Sequence, residues 1–154
     1  MTVGFNHLGQ LGQLGNQMFQ YAITKSVASK LNVPFKIPNH QNVFDDGIGN
    51  RYTILLFDIF KLESLTNFGF VDTQKYVQEG HFHYDEDIFN ISPQEDFSLW
   101  GFFQSEKYFK DIENDIRNDF KFKDELVSSC SSLINSVDNP IALHIRRGDF
   151  ITNS

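Results

Sequence analysis

Gly9, Gly12 and Gly15 stand between a short apolar run and an amphipathic stretch, and this junction restricts the fold more than any other feature of the chain. A strand that turns through glycines into a helix is the opening of a βαβ unit. Residues 2–8 are predicted to form the strand. The loop holds a small direct repeat, Gly-Gln-Leu-Gly-Gln-Leu-Gly, too short to build a solenoid. A helix is predicted over residues 16–30, where Phe19, Ile23, Val27 and Leu31 recur every fourth position and Met18 and Ala22 widen the stripe. Asn16 is read as its N-cap, and Asn32, before Val33-Pro34, as its stop. Residues 33–37 follow as a second strand, placed at an edge because Pro34 has no N–H to donate. The expected class is α/β with a parallel sheet.

Composition excludes several classes. The 154 residues are 40% hydrophobic and 15% aromatic, with 17 Phe, which suits a packed domain and not a disordered tail or a coiled coil. The net charge of -7 opposes nucleic-acid binding, which depends on neutralising phosphates with Lys and Arg. One Cys excludes a disulfide framework within the chain and a multi-cysteine zinc site, and suits a reducing compartment. No secretory leader or membrane-spanning run is visible, so the expected location is the cytoplasm or the periphery of a membrane. The Asn90-Ile91-Ser92 sequon is read as chance.

Residues 38–51 read as a polar loop, and residues 52–65 leave helix and strand both open. Residues 72–119 hold twelve acids and four bases, a local balance of -8, read as a solvated face. Residues 99–104 are predicted as a buried strand. Ser105 then caps a helix lined by Phe109, Ile112, Ile116 and Phe120. A further helix over 123–136 puts Leu126, Cys130, Leu133 and Val137 near one face, so Cys130 is expected in a core. Asp138-Asn139-Pro140 makes a turn, and residues 141–145 are predicted as a strand ended by Gly148.

Two clusters carry chemistry. In Gly12-Gln13-Leu14-Gly15-Asn16-Gln17, glycines let backbone approach a ligand closely, and the helix start behind them offers N–H groups and partial positive charge. The spacing fits neither a P-loop nor the Rossmann fingerprint. From the residues alone, a capped turn and a ligand loop are both open. In His144-Ile145-Arg146-Arg147-Gly148-Asp149, two adjacent arginines at a strand end call for an anionic partner, and guanidinium forks match phosphate oxygens. A regular strand puts Ala142, His144 and Arg146 on one face and Ile141, Leu143, Ile145 and Arg147 on the other. Asp149 is placed to orient an arginine or accept from a base or sugar. A structural Arg-Asp pair is the competing reading. His81 and His83, beside Asp85 to Asp87, read as surface histidines rather than a metal site. Trp100, Phe102 and Phe103 read as core rather than a stacking surface.

Four blocks, in order, resemble glycosyltransferase family 11, the α-1,2-fucosyltransferases. They are Gly12 to Ala22, Phe82 to Ile91, Gly101 to Phe109, and His144 to Phe150, the last matching the pattern H-x-R-R-x-D. The resemblance implies a two-domain GT-B-type enzyme with facing Rossmann-like halves. Such an enzyme transfers L-fucose from GDP-β-L-fucose, with inversion, to a galactose of a glycan. It implies Arg146 chiefly and Arg147 second on the pyrophosphate, with His144 and Asp149 shaping that site. Gly15, Asn16 and Gln17 fall on the donor side of the loop, and Asn16 faces the fucose, so Arg146 and Asn16 are the expected catalytic pair. No metal or other cofactor is implied. Residues 1–139 correspond to the acceptor-side domain and 140–154 to the start of the donor-binding domain. On that mapping the chain is the N-terminal portion of such an enzyme, inactive as this fragment. A non-catalytic glycan-binding module and a fucosyltransferase of other linkage remain alternatives. The sequence departs from the family at Gln13, in place of a glycine, and at Asn6 and His7, where apolar residues are expected. Asp45, Asp46 and Glu106 are available as general bases, and nothing selects among them.

Overall fold

The computed structural model describes residues 1–45, 51–91 and 94–145. By packing the chain divides into two units, Met1–Phe122 and Lys123–Ser154. The first is an α/β unit built on β1 (Val3–Gly4), α1 (Leu14–Leu31), β2 (Phe35–Lys36), β5 (Tyr76–Gln78) and β6 (Phe97–Trp100). Its sheet has the order β2-β1-β6-β5, and every pairing is parallel. Val3 pairs with Phe35 on one side and Phe97 on the other, and Val77 pairs with Leu99. A separate antiparallel pair, β3 (Phe44–Asp45) and β4 (Arg51–Tyr52), leads into the short α2 (Leu56–Ile59), which resolves the undecided stretch.

Strand residues alternate between faces. Val3, Phe5, Phe97 and Leu99 are fully buried and form one core with Tyr21, Ile23 and Val27 of α1. Gly4 lies on the other face, where Val71 crosses it; a Cβ on Gly4 would lie 2.4 Å from Val71 Cγ2. Asn6 explains its own departure from an apolar pattern. Its Nδ2 donates to Val71 O at 2.9 Å, and its Oδ1 accepts from Val71 N at 2.8 Å. The crossing segment thus has both backbone groups of Val71 satisfied away from water, as buried peptide groups require.

Some expected bounds shift. The first strand is only Val3–Gly4, because Asn6 and His7 turn out of the ladder into the loop. The later strand is Phe97–Trp100 rather than 99–104, since Gly101 (φ +152°) and Phe103 (φ +52°) leave extended geometry. α1 begins at Leu14, with Gln13 in the cap position and no side-chain cap, so Asn16 lies inside the helix and is not its N-cap. Asn32 does end it, in the left-handed conformation with φ +53°, its N–H reaching Ser29 O at 3.1 Å. Ser105 caps as expected, accepting from Lys107 N at 3.4 Å. The helix it opens is a 3-10 segment, Glu106–Ile112, kinked at Phe109, followed by α3 (Glu113–Asp119).

α3 is fastened to α1 through Asp119, which is 1% exposed. Its carboxylate accepts from Tyr21 Oη at 2.8 Å, Lys25 Nζ at 2.6 Å, Ser64 Oγ at 2.6 Å and Ser64 N at 3.1 Å. Burial alone would raise the carboxyl pKa. The Lys25, Ser64 and Tyr21 donors outweigh it and hold the group below the usual carboxylate range. Burial and the Asp119 charge push the Tyr21 phenol the other way, upward.

The second unit contains α4 (Asp124–Ile134), close to the expected 123–136. Two expectations fail there. Cys130 is exposed, not core, because the apolar stripe of α4 has no buried residue. Residues 141–145 form no strand: no ladder pairing among the described residues takes their peptide groups, and Ile141, Leu143 and Ile145 are exposed.

Candidate functional site

From β1 the chain passes through α1 to β2 on one side, while β6 and then β5 lie on the other. The carboxyl ends of β1 and β6 are therefore the point where the connections diverge, the place where open α/β sheets bind ligands. Three loops meet there.

The glycine loop comes from β1. Gly9 and Gly12 have φ of +95° and +92°, and Gly12 is also crowded: an added Cβ would lie 1.8 Å from Asn16 Nδ2. Gly15 behaves differently. It has no positive φ and open space around it, so the loop does not owe its shape to Gly15. The second loop, Gly101 to Gln104, comes from β6. Gln104 Nε2 donates to Asn16 Oδ1 across the crevice. Beneath them, the buried Gln20 Nε2 bridges both loops, donating to Leu11 O at 2.9 Å and Gly101 O at 3.2 Å. The third loop follows β5, where Glu79 accepts from Phe102 N at 2.7 Å and from Phe103 N at 3.0 Å. A carboxylate taking two peptide N–H groups is a strong brace. It fixes a turn that places Phe103 in the left-handed region.

Tyr108 joins the remaining piece. Its hydroxyl accepts from Asp85 N at 3.0 Å and donates to His83 O at 3.2 Å, while its ring lies against Tyr84, Phe89 and Phe103. The first three sequence blocks are thus one assembly, held by Asn16–Gln104 and by Tyr108.

The predicted site residues separate accordingly. Gly15 and Asn16 stand at the crevice. Gln17 does not: it is buried, with Nε2 on Thr53 O at 2.9 Å and Oε1 accepting from Leu55 N at 2.8 Å, so its amide ties α1 to the loop before α2. His144 is exposed in the second unit. Arg146, Arg147, Gly148 and Asp149 lie outside the described residues, as do Asp46 and Ser92. His81 and His83 are exposed neighbours with rings 5.7 Å apart, and no group of three or more His, Cys, Asp or Glu among the described residues is placed to hold a metal ion.

Sequence reasoning assigned nothing to Gln20, Glu79 or Gln104, and noted His7 only as a departure. His7 stands edge-on to Trp100 at 4.1 Å and tilted to Tyr76 at 5.5 Å. Its Nδ1 is buried without a hydrogen-bond partner among the described residues, and burial holds its pKa below the ordinary imidazole value. A Gln in the second turn of α1, or one acid in an acidic run, gives no sequence signal of the peptide groups it serves. Asn6 and His7, polar residues inside an expected apolar strand, were visible irregularities.

The fold is that of an α/β protein with a four-stranded parallel sheet, consistent with a Rossmann-like arrangement. The model of glycosyl transferase family 11 matches residues 3–154, and the chain belongs to that family, a family of fucosyltransferases. Membership implies a nucleotide-sugar donor and a glycan acceptor. Comparisons with curated proteins and with solved structures return no match. No helix among the described residues is long and apolar enough to cross a membrane.

Proposed function

We propose that the chain supplies the acceptor-side half of a GT-B-type galactoside α-1,2-fucosyltransferase that uses GDP-β-L-fucose. The observation that carries this reading is the convergence of the Gly12–Ala22 and Gly101–Phe109 blocks on one crevice, joined by the Asn16–Gln104 hydrogen bond. In this reading residues 140–154 begin the donor-binding domain. The galactose O2 attacks the fucose anomeric carbon from the face opposite the nucleotide. The bond from that carbon to the β-phosphate oxygen breaks, GDP leaves, and the hydroxyl gives its proton to a general base, for which Asp45, Asp46 and Glu106 are the candidates. Arg146 and Arg147 take the charge that builds on the departing phosphate, with His144 and Asp149 shaping the same pocket. Asn16 meets the fucose, and Gly15 leaves room for it. Gln17 acts indirectly, by fixing the start of α1. Arginine charge does the work that a divalent cation does elsewhere, so no cofactor enters.

The test is incubation of the longest natural form of the polypeptide with GDP-fucose and a panel of β-galactosides, with product linkage read by NMR. Fucose on galactose O2 is the expected product. Fucose on another hydroxyl replaces the linkage, and galactoside binding without transfer by the longest natural form of the polypeptide replaces the enzyme reading with a glycan-binding module.

A further inference from the structure

Within the first unit, α1 and the 3-10 segment Glu106–Ile112 border a cavity of about 760 Å³. Met18, Phe19 and Phe109 give it an apolar lining, with the Phe19 and Phe109 rings 6.0 Å apart. Gly15 also lines it, next in the chain to Asn16 of the Asn16–Gln104 hydrogen bond, and a Cβ added to Gly15 would meet nothing within 4 Å. Two carboxylates line the same space, Glu106 and Glu113. They differ in what holds them. Glu113 Oε1 accepts from Arg117 Nε at 2.8 Å and lies 2.7 Å from Arg117 Nη2. It also opens α3, one helix beyond the crevice. Glu106 is exposed, stands two residues from Gln104, and its carboxylate has no hydrogen-bond or ion-pair partner among the described residues. Glu79, the acid bracing the Gly101–Gln104 turn, has both oxygens taken by Phe102 N and Phe103 N.

We propose that Glu106 is the general base of the transfer, resting on the assignment of the crevice as a fucosyl-transfer site. A hydroxyl that attacks an anomeric carbon needs a proton acceptor that is beside the reacting atoms and not committed to another donor. Glu106 meets both conditions, and Glu79 and Glu113 each fail the second. The acceptor oxygen forms its new bond to the fucose C1. The bond from C1 to the β-phosphate oxygen breaks, and its electron pair leaves on GDP. The acceptor proton passes to a carboxylate oxygen of Glu106, which releases it to water once GDP has gone. Asn16 meets the fucose in this reading. Gly15, bare of a side chain, leaves space for the attacking hydroxyl in the cavity that it shares with Glu106.

The experiment compares two nucleophiles in the longest natural form of the polypeptide with GDP-fucose. Methyl β-galactoside must lose a proton to react, whereas azide attacks C1 with no proton to lose. Wild type, Glu106→Gln, Glu106→Ala, Asp45→Asn, Asp46→Asn and Glu113→Gln are assayed with each, and melting curves check folding. Glu106→Gln and Glu106→Ala should lower kcat for the galactoside about 10²–10⁴-fold. Both should still form α-fucosyl azide at the wild-type rate, because the azide reaction needs no base. Added formate should restore galactoside transfer in Glu106→Ala, where it fits the space left by the carboxylate, and not in Glu106→Gln. Glu113→Gln should stay within about twofold of wild type. Galactoside transfer unchanged in both Glu106 variants overturns the role and leaves the transferase reading in place. The same holds if Asp45→Asn or Asp46→Asn alone loses transfer and keeps azide formation. Loss of the azide product together with transfer in the Glu106 variants also overturns it, since Glu106 would then serve the donor or the fold. A wild type that forms neither product removes the transferase reading, and the role of Glu106 with it.

Discussion

Asp119 and Asn6 are single polar side chains whose burial is justified by the peptide and charged groups they satisfy. Asp119 takes four hydrogen bonds from α1 and from Ser64 while almost fully buried. Removing it in Asp119→Ala strands the Lys25 ammonium, which is 12% exposed, and should cost about 3–5 kcal/mol in urea unfolding. The pH dependence follows in sign. The folded carboxyl ionises below its unfolded value, so its stabilisation is complete above the ordinary carboxylate pKa of about 4 and drains away as pH falls through the folded value. Asp119→Asn should flatten that acid limb; an unchanged slope below about pH 4 would remove Asp119 as its source. Asn6→Leu is nearly isosteric but leaves Val71 N and O unpaired in the interior. An unfolding free energy lower by about 1–3 kcal/mol is expected, read as a shift in the urea midpoint at constant slope.

At the scale of elements, the glycine loop and α1 divide the three glycines by purpose. Gly12 holds a positive φ under Asn16, whereas Gly15 is an ordinary first-turn helical residue with open space beside it. Gly12→Ala should therefore lower the melting temperature. Gly15→Ala should leave it unchanged or raise it, by up to about 1 kcal/mol of stability, because alanine is the better helix former. Equal destabilisation by both would mean that the loop needs Gly15 for its shape after all. The β6 turn is braced in another way, by the Glu79 carboxylate on Phe102 N and Phe103 N. Periodicity located α1 and α4 to within a few residues because an apolar stripe is a property of sequence. It placed the Phe97–Trp100 strand two residues late, because Gly101 and Phe103 turn the chain where the apolar run continues.

For the molecule as a whole, the proposed division of labour sets the donor phosphate on Arg146 and Arg147 and the acceptor on the crevice of the first unit. Arg146→Lys keeps the charge but loses the two-pronged fork, and kcat/KM for GDP-fucose should fall about 10²–10³-fold in transfer assays, more than for Arg147→Lys. A rate near wild type for Arg146→Lys would remove that arginine from the reaction. What the sequence determined by itself was the class and the family. A glycine junction between strand and helix admits only a few folds, and four ordered blocks identify the fucosyltransferases. The roles within the blocks were decided by tertiary structure. Asn16 and Gln17 are adjacent in the chain, yet one reaches Gln104, 88 positions away, and the other is consumed by Thr53 and Leu55. Cys130 repeats at helical spacing and still meets solvent. Spacing fixes which face of an element a residue occupies. Which partner waits on that face depends on contacts between residues far apart in the chain, and those exist only once the sheet has assembled.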